Sequence, residues 1–147
     1  MKNILTILIG TLGILTAVHV NAANYTVKEM NSGPGGTFVF DPMYLHVQPG
    51  DTVTFEPTDL GHNSESVTTP AGAKPWKSEI SKLLTVTLTK QGVYIYQCAP
   101  HSLFGMVGVI QVGAAVNKAE AEKQAQALEK KQLMNQGRIS QTMGKIQ

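Results

Sequence analysis

Between Tyr25 and Val112 the chain is cut into short alternating apolar runs, each closed by residues that favour turns. The runs are Tyr25-Thr26-Val27, Phe38-Val39-Phe40, Tyr44 to Val47, Thr52 to Glu56, Leu83 to Leu88, Val93 to Tyr96 and Val107 to Val112. Between them lie Asn31-Ser32-Gly33-Pro34-Gly35-Gly36, Pro49-Gly50-Asp51 and Lys90-Gln91-Gly92, whose glycines, prolines and Asx residues supply turn geometry. Seven or eight short strands spaced in this way predict an all-β sandwich. The stretch Thr68 to Lys77, holding Pro70, Gly72 and Pro75, is expected to be loop with one helical turn.

Composition changes at Gly113. Residues 114–147 contain no aromatic residue and are rich in Ala, Glu, Lys and Gln. Asn117 followed by Glu120 resembles a capping box, so a helix is expected from Lys118 to Met134 and a second from Ile139 to Met143, divided at Gly137. The apolar stripe of this extension is thin, which predicts weak docking. Residues 23–113 hold five Lys and seven acids, net −2, while residues 114–147 hold six basic and three acidic residues, net +3. The basic balance of the extension reads as a solvated helical surface rather than a docking patch. With a formal net charge of only +2, the chain lacks the polycation that nucleic acid would require.

The first 22 residues read as an export signal. Lys2 supplies the positive end, Ile4 to Val18 is apolar apart from Thr and Gly, and Val20-Asn21-Ala22 precedes the cut. A retained anchor is the alternative, but the run is shorter than the roughly 20 residues that a membrane helix needs. Export would place the mature chain in an oxidising compartment, where the single cysteine, Cys98, needs protection. One cysteine also excludes an intrachain disulfide, a CxxC pair and zinc sites built on two thiolates.

Cys98 opens the densest cluster of reactive side chains. Cys98-Ala99-Pro100-His101 and Met106 give the spacing C-x2-H-x4-M in a loop between two predicted strands. A thiolate, an imidazole and a thioether suit copper, and two imidazoles with one thiolate and an axial thioether suit electron transfer. His62, in Gly61-His62-Asn63 after the Thr52 strand, supplies the second imidazole. The candidate metal ligands are therefore His62, Cys98, His101 and Met106. His46 alternates with Leu45 and Val47 and should face solvent, and His19 falls in the signal. Two other chemistries use the same residues. A copper storage or delivery protein would want Met-rich or CxxC coordination, which the chain lacks. A thiol hydrolase would use Cys98 as nucleophile and His62 or His101 as base, but would leave Met106 without a role.

Pro49-Gly50-Asp51-Thr52-Val53-Thr54-Phe55, Pro57-Thr58-Asp59, Gly61-His62-Asn63, Cys98-Ala99-Pro100-His101 and Gly105 to Gly113 together resemble the pseudoazurins, blue copper proteins of the cupredoxin group. The resemblance spans nearly all of the chain after the signal. It implies an eight-stranded Greek-key sandwich with a C-terminal helical extension: signal 1–22, copper-binding plastocyanin-like domain 23–113, helices within 114–147. It further implies one type 1 copper on those four ligands, and Asn63 tying the two ligand loops together. The implied role is that of a monomeric periplasmic one-electron carrier, not an enzyme. A cytochrome or dehydrogenase would be its donor and a copper nitrite reductase or related enzyme its acceptor.

The family's ring of lysines around the exposed histidine is thinned here. Ser32, Leu60 and Gln97 stand at those positions, leaving Lys74 and Lys77 nearby, and Leu103 and Phe104 make the ligand loop bulkier. Pro57, Leu60, Pro100, Leu103 and Phe104 are expected to frame the His101 edge as an apolar docking patch.

Overall fold

The computed structural model describes residues 21–147; the predicted export signal lies almost wholly outside them. Eight strands form two four-stranded sheets, β1 Asn24–Gly33, β2 Gly36–Asp41, β3 Tyr44–Val47, β4 Thr52–Pro57, β5 Glu65–Thr68, β6 Leu84–Thr87, β7 Gly92–Gln97 and β8 Val107–Val112. One sheet has the order β2-β1-β4-β6 and the other β3-β8-β7-β5. Strand β1 runs parallel to β4, and β3 parallel to β8; the remaining pairs are antiparallel. This is the expected all-β sandwich with a helical extension.

Period-2 alternation decides which side chains meet between the sheets. Val27, Phe40, Val53 and Phe55 from the first sheet face Val47, Tyr94, Tyr96, Ile110 and Val112 from the second in one buried cluster. Tyr96 stands at its centre, with ring centroids 4.8 Å from Phe40 and 5.0 Å from Phe55. Its ring lies over Gly108, its register partner on β8, where a Cβ would come within 2.2 Å of the phenol ring. Gly108 is therefore required by close approach rather than by backbone conformation.

Several boundaries differ from those read in the sequence. β1 extends to Gly33 and takes in Asn31 to Gly33, read above as loop; the hairpin turns at Pro34-Gly35. β5 was not among the expected runs: it is a polar edge strand with exposed Val67 and a register shift against β7. The stretch from Thr69 to Lys77 carries no helical turn, only a tight reversal in which Ala73 N–H donates to the Pro70 carbonyl, 3.0 Å.

The extension contains α1 Lys118–Glu129 and α2 Arg138–Met143. α1 stops short of Met134, and the chain beyond it passes along the ligand loop, where Leu133 N–H donates to the Leu103 carbonyl, 2.7 Å. Asn117 does not form the expected capping box. Its amide instead binds both backbone groups of Val93, 2.7 and 3.0 Å, and fastens α1 to β7. Docking is also firmer than a thin stripe predicts. Ala121, Ala125, Ile139, Met143 and Ile146 cover Val93, Ile95, Val107 and Val109 on the outer faces of β7 and β8. Alanines four residues apart let α1 approach the sheet closely, so few large side chains are needed. Both central strands are thereby buried on two faces.

Of the ionisable side chains buried in this frame, Arg138 and Glu29 differ most in their surroundings. Arg138 donates to the carbonyls of Phe38, Gly105, Gly35 and Thr37 at 2.7 to 3.0 Å, joining α2 to the β1–β2 hairpin and the ligand loop. Glu29 is fully buried, and neither carboxylate oxygen has a hydrogen-bond partner among the described residues. Burial pushes its pKa up to about 7. The unfolded chain ionises this carboxyl near 4.5 while the folded one stays protonated, so stability falls as pH rises from about 4.5 to about 7. Glu29→Gln should remove that loss and stabilise the metal-free protein at pH above about 7 by up to about 3 kcal/mol. Urea midpoints measured on both sides of the interval check this, and equal pH dependence in the two proteins would refute it.

Candidate metal centre

The two sheets hold out two loops at one end of the sandwich. One follows β4 and carries His62 and Asn63. The other links β7 to β8, beginning with Cys98 and continuing as a 3-10 turn over Ala99–Phe104. Gly105 ends that turn in the left-handed conformation, with φ 73°, which returns Met106 to the sheet. Cys98 N–H donates to the Met106 carbonyl, 3.0 Å, and Met106 N–H to the His101 carbonyl, 3.2 Å, so the loop closes on itself.

Three of the four expected ligands converge in side-chain position. The Cys98 Sγ lies 3.4 Å from His101 Nδ1 and 3.7 Å from His62 Nδ1. Together they offer three donor atoms within 4.8 Å of one another. Cys98, His62 and Met106 are buried, while His101 is half-exposed. Met106 is fixed beside the cluster by its two backbone bonds. His46 faces solvent as expected, 3.3 Å from the Gly113 carbonyl and remote in sequence from the cluster.

Asn63 joins the two loops. Its Oδ1 accepts from Ala99 N–H at 2.8 Å, its Nδ2 donates to the Ser78 carbonyl at 3.2 Å, and its backbone N–H points at Cys98 Sγ at 3.5 Å. A second contact was not read from the sequence: His62 Nε2 meets Asn31 Oδ1 at 3.0 Å, and Asn31 N–H in turn donates to Asp59 Oδ2 at 2.7 Å. An amide oxygen at Nε2 selects the tautomer protonated there, leaving the Nδ1 lone pair free toward the sulfur. The sequence offered Asn31 only as a turn residue, and no local pattern could have linked it to position 62.

Phe38 is the other residue that sequence reasoning missed. Its ring stacks on His101 with centroids 4.4 Å apart and planes at 16°, and Phe104 packs against both rings, 5.2 Å from Phe38 and 6.1 Å from His101. Phe38 holds a left-handed φ of 47°, unusual for a bulky residue, and Arg138 grips its carbonyl. The sequence offered Phe38 only as part of the run Phe38-Val39-Phe40.

The electrostatics suit a soft cation. Burial lowers the pKa of both histidines, His62 further through neighbouring His101, which favours the neutral imidazole that a metal ligand requires. Burial raises the Cys98 thiol, with the Asn63 N–H acting in the opposite direction. Among the described residues no cation acts on the buried thiol to stabilise its anion. A metal ion would supply that charge and displace the proton.

The sequence of residues 27–113 matches the family described as copper binding proteins, plastocyanin/azurin family. A pseudoazurin of Methylorubrum extorquens is 41% identical over 117 residues, 78% of this chain and 79% of that protein. A pseudoazurin of Paracoccus pantotrophus is 41% identical over 106 residues, 71% and 73% of the two chains. The crystal structure of native pseudoazurin from Hyphomicrobium denitrificans superposes with a TM-score of 0.75 at 34% identity, covering 85% of this chain and 99% of that one. The chain therefore belongs to the copper-binding plastocyanin/azurin family as a pseudoazurin-type blue copper protein, an electron carrier rather than an enzyme, with copper as its cofactor.

Proposed function

We propose that His62, Cys98, His101 and Met106 are the copper ligands, and that this chain carries single electrons in the periplasm between redox proteins docking at the His101 face. In this reading residues 1–22 are the removed export signal, 23–113 the copper-binding domain and 114–147 a helical cover, and the protein works as a monomer. Its donor would be a cytochrome or dehydrogenase and its acceptor a copper nitrite reductase or related enzyme. The observation that carries the ligand assignment is the convergence of two imidazole Nδ1 atoms on one buried thiol sulfur, from loops far apart in sequence. Among the described residues no helix is long and apolar enough to cross a membrane.

Copper held by these side chains supplies a one-electron Cu(I)/Cu(II) couple. The chain's own task is to keep the donors still between the two states. Asn63 fixes the spacing of the two loops, Asn31 sets the His62 tautomer, and Phe38 with Phe104 holds the His101 ring. Pro100 removes a backbone donor and stiffens the link from Cys98 to His101. Burial of Cys98 keeps water from the thiolate and leaves the half-exposed His101 ring as the way in and out for the electron. A hydrolytic role for Cys98 is disfavoured, because the thiol is raised in pKa and enclosed on all sides.

The surface around His101 supports weak, brief docking. Leu60 is 81% and Leu103 51% exposed, with Pro100 also at the surface, while Pro57 and Phe104 are half-buried. Steering charge is sparse. Lys77 is paired with Glu65 at 2.9 Å, and the same carboxylate accepts from Gln97. An apolar patch with few free cations favours close approach without strong long-range attraction.

Adding one equivalent of Cu(II) to the metal-free protein should produce an intense blue thiolate-to-copper band, and Cys98→Ser should abolish it. A colourless native protein would overturn the ligand assignment. Met106→Gln should keep the blue band but lower the reduction potential, because an oxygen donor favours Cu(II); voltammetry showing an equal or higher potential would remove Met106 from the ligand set. Electron-transfer rates with a partner should fall by less than about tenfold between low and moderate salt. A steeper fall in stopped-flow measurements would mean that charge, not the apolar patch, governs encounter.

A further inference from the structure

Glu29 has no place in copper binding, yet it is the most anomalous polar group in the core. It follows Val27 by two residues and so faces inward, opposite Phe40 on β2 and Pro57 on β4. Both carboxylate oxygens and the nearby Tyr96 hydroxyl are buried without hydrogen-bond partners among the described residues. Burial is the main cause that raises Tyr96 on β7 and the Cys98 thiol just beyond it, and an ionised Glu29 acts on both in the same direction, as Glu65 does on Cys98. Its register partners on β2 and β4, Phe40 and Pro57, are both apolar. Lys28 and its register neighbours Asp41 and Glu56 lie on the opposite face, and the Asp59 carboxylate is taken up by Asn31 N–H. Among the described residues no cation is paired with Glu29.

A carboxyl in such surroundings is poised between its two states near neutral pH, its burial having raised its pKa to about 7. A change of one charge at the Cys98 cluster then shifts its proton occupancy. We propose that Glu29 binds one solvent proton when the copper site gains an electron, so that this chain carries a proton together with its electron. On reduction a one-electron donor protein gives up an electron, Cu(II) becomes Cu(I), and the Glu29 carboxylate takes a proton from water. On oxidation the electron passes to the acceptor and the same proton returns to solvent. Loss of positive charge at the metal makes the carboxylate costlier, so Glu29 holds its proton more tightly in the reduced protein. By reciprocity the protonated protein is the better electron acceptor, and the reduction potential falls as pH rises.

The inference rests on copper binding at His62, Cys98 and His101. Redox titration of the copper-loaded protein between about pH 5.5 and about pH 8.5 tests it, together with reduced-minus-oxidised infrared difference spectra. The expected result is a several-fold shift of the reduction equilibrium toward the oxidised form across this range. A protonated-carboxyl C=O band should appear on reduction, and Glu29→Gln should lose both the band and most of the pH dependence. A potential independent of pH, a slope unchanged in Glu29→Gln, or the absence of a carboxyl band in the native protein would each overturn the proposal. The infrared measurement on native protein decides the matter even if Glu29→Gln folds poorly. A blue protein with a flat potential would retire this inference alone, whereas a protein that never turns blue would retire the ligand assignment with it.

Discussion

The side chain of Asn63 is the contact on which the rest of the site depends. His62 lies in the loop between β4 and β5 and Cys98 in the loop between β7 and β8, and nothing in either loop alone fixes their separation. The Asn63 amide spans the gap, holding Ala99 N–H on one side and the Ser78 carbonyl on the other, while its backbone N–H faces the sulfur. Donor atoms whose spacing is set by such hydrogen bonds do not have to reorganise when the charge at the centre changes. Preorganisation of this kind suits a carrier, whose two states must share one geometry, better than an exchangeable store, which must open to release its metal.

The clamp would mean less if the sandwich beneath it were loose. The C-terminal helices answer that need in a way their composition hides. They cover the outer faces of β7 and β8, the two strands that flank the ligand loop, and they send Arg138 across to the β1–β2 hairpin. One guanidinium thus ties together the Phe38 carbonyl, which follows the ring stacked on His101, and the Gly105 carbonyl, which precedes Met106. Asn135 adds a bond to the Phe104 carbonyl, 2.7 Å. The extension therefore braces the site from behind, through the carbonyls of Leu103, Phe104 and Gly105.

Much of this was legible in the sequence because it rests on local rules. Alternation located seven strands, the turn residues separated them, and the C-x2-H-x4-M spacing with His62 marked the cluster. The remainder depends on what meets across space. β5 escaped because a polar edge strand buries too little to show a period. Asn117 looked like a cap because sequence cannot reveal that Val93 competes for its amide. Phe38 and Asn31 lie far from positions 101 and 62 in the chain, and only the end-to-end placement of β1 and β2 beside the loops gives them their partners. Weak docking of the extension was a misreading of alanine, whose small side chain permits close packing while adding little to an apolar stripe.

Arg138 and Glu29 show how differently one fold can treat buried ionisable groups. Arg138 meets four carbonyls, and its burial lowers its pKa without leaving a donor idle along that face. Glu29 meets none, although a glutamine or methionine at the same inward position of β1 would meet the demands of packing at lower cost in free energy. Structural economy thus accounts for the arginine and not for the acid. An unpaired carboxyl is kept neutral by the same low-dielectric core that surrounds the thiol, so its ionisation responds to any change of charge at Cys98 that water would otherwise screen. The dry interior that keeps the ligands in place is also what couples the two sites. Glu29 and the sulfur are both wholly buried in that interior.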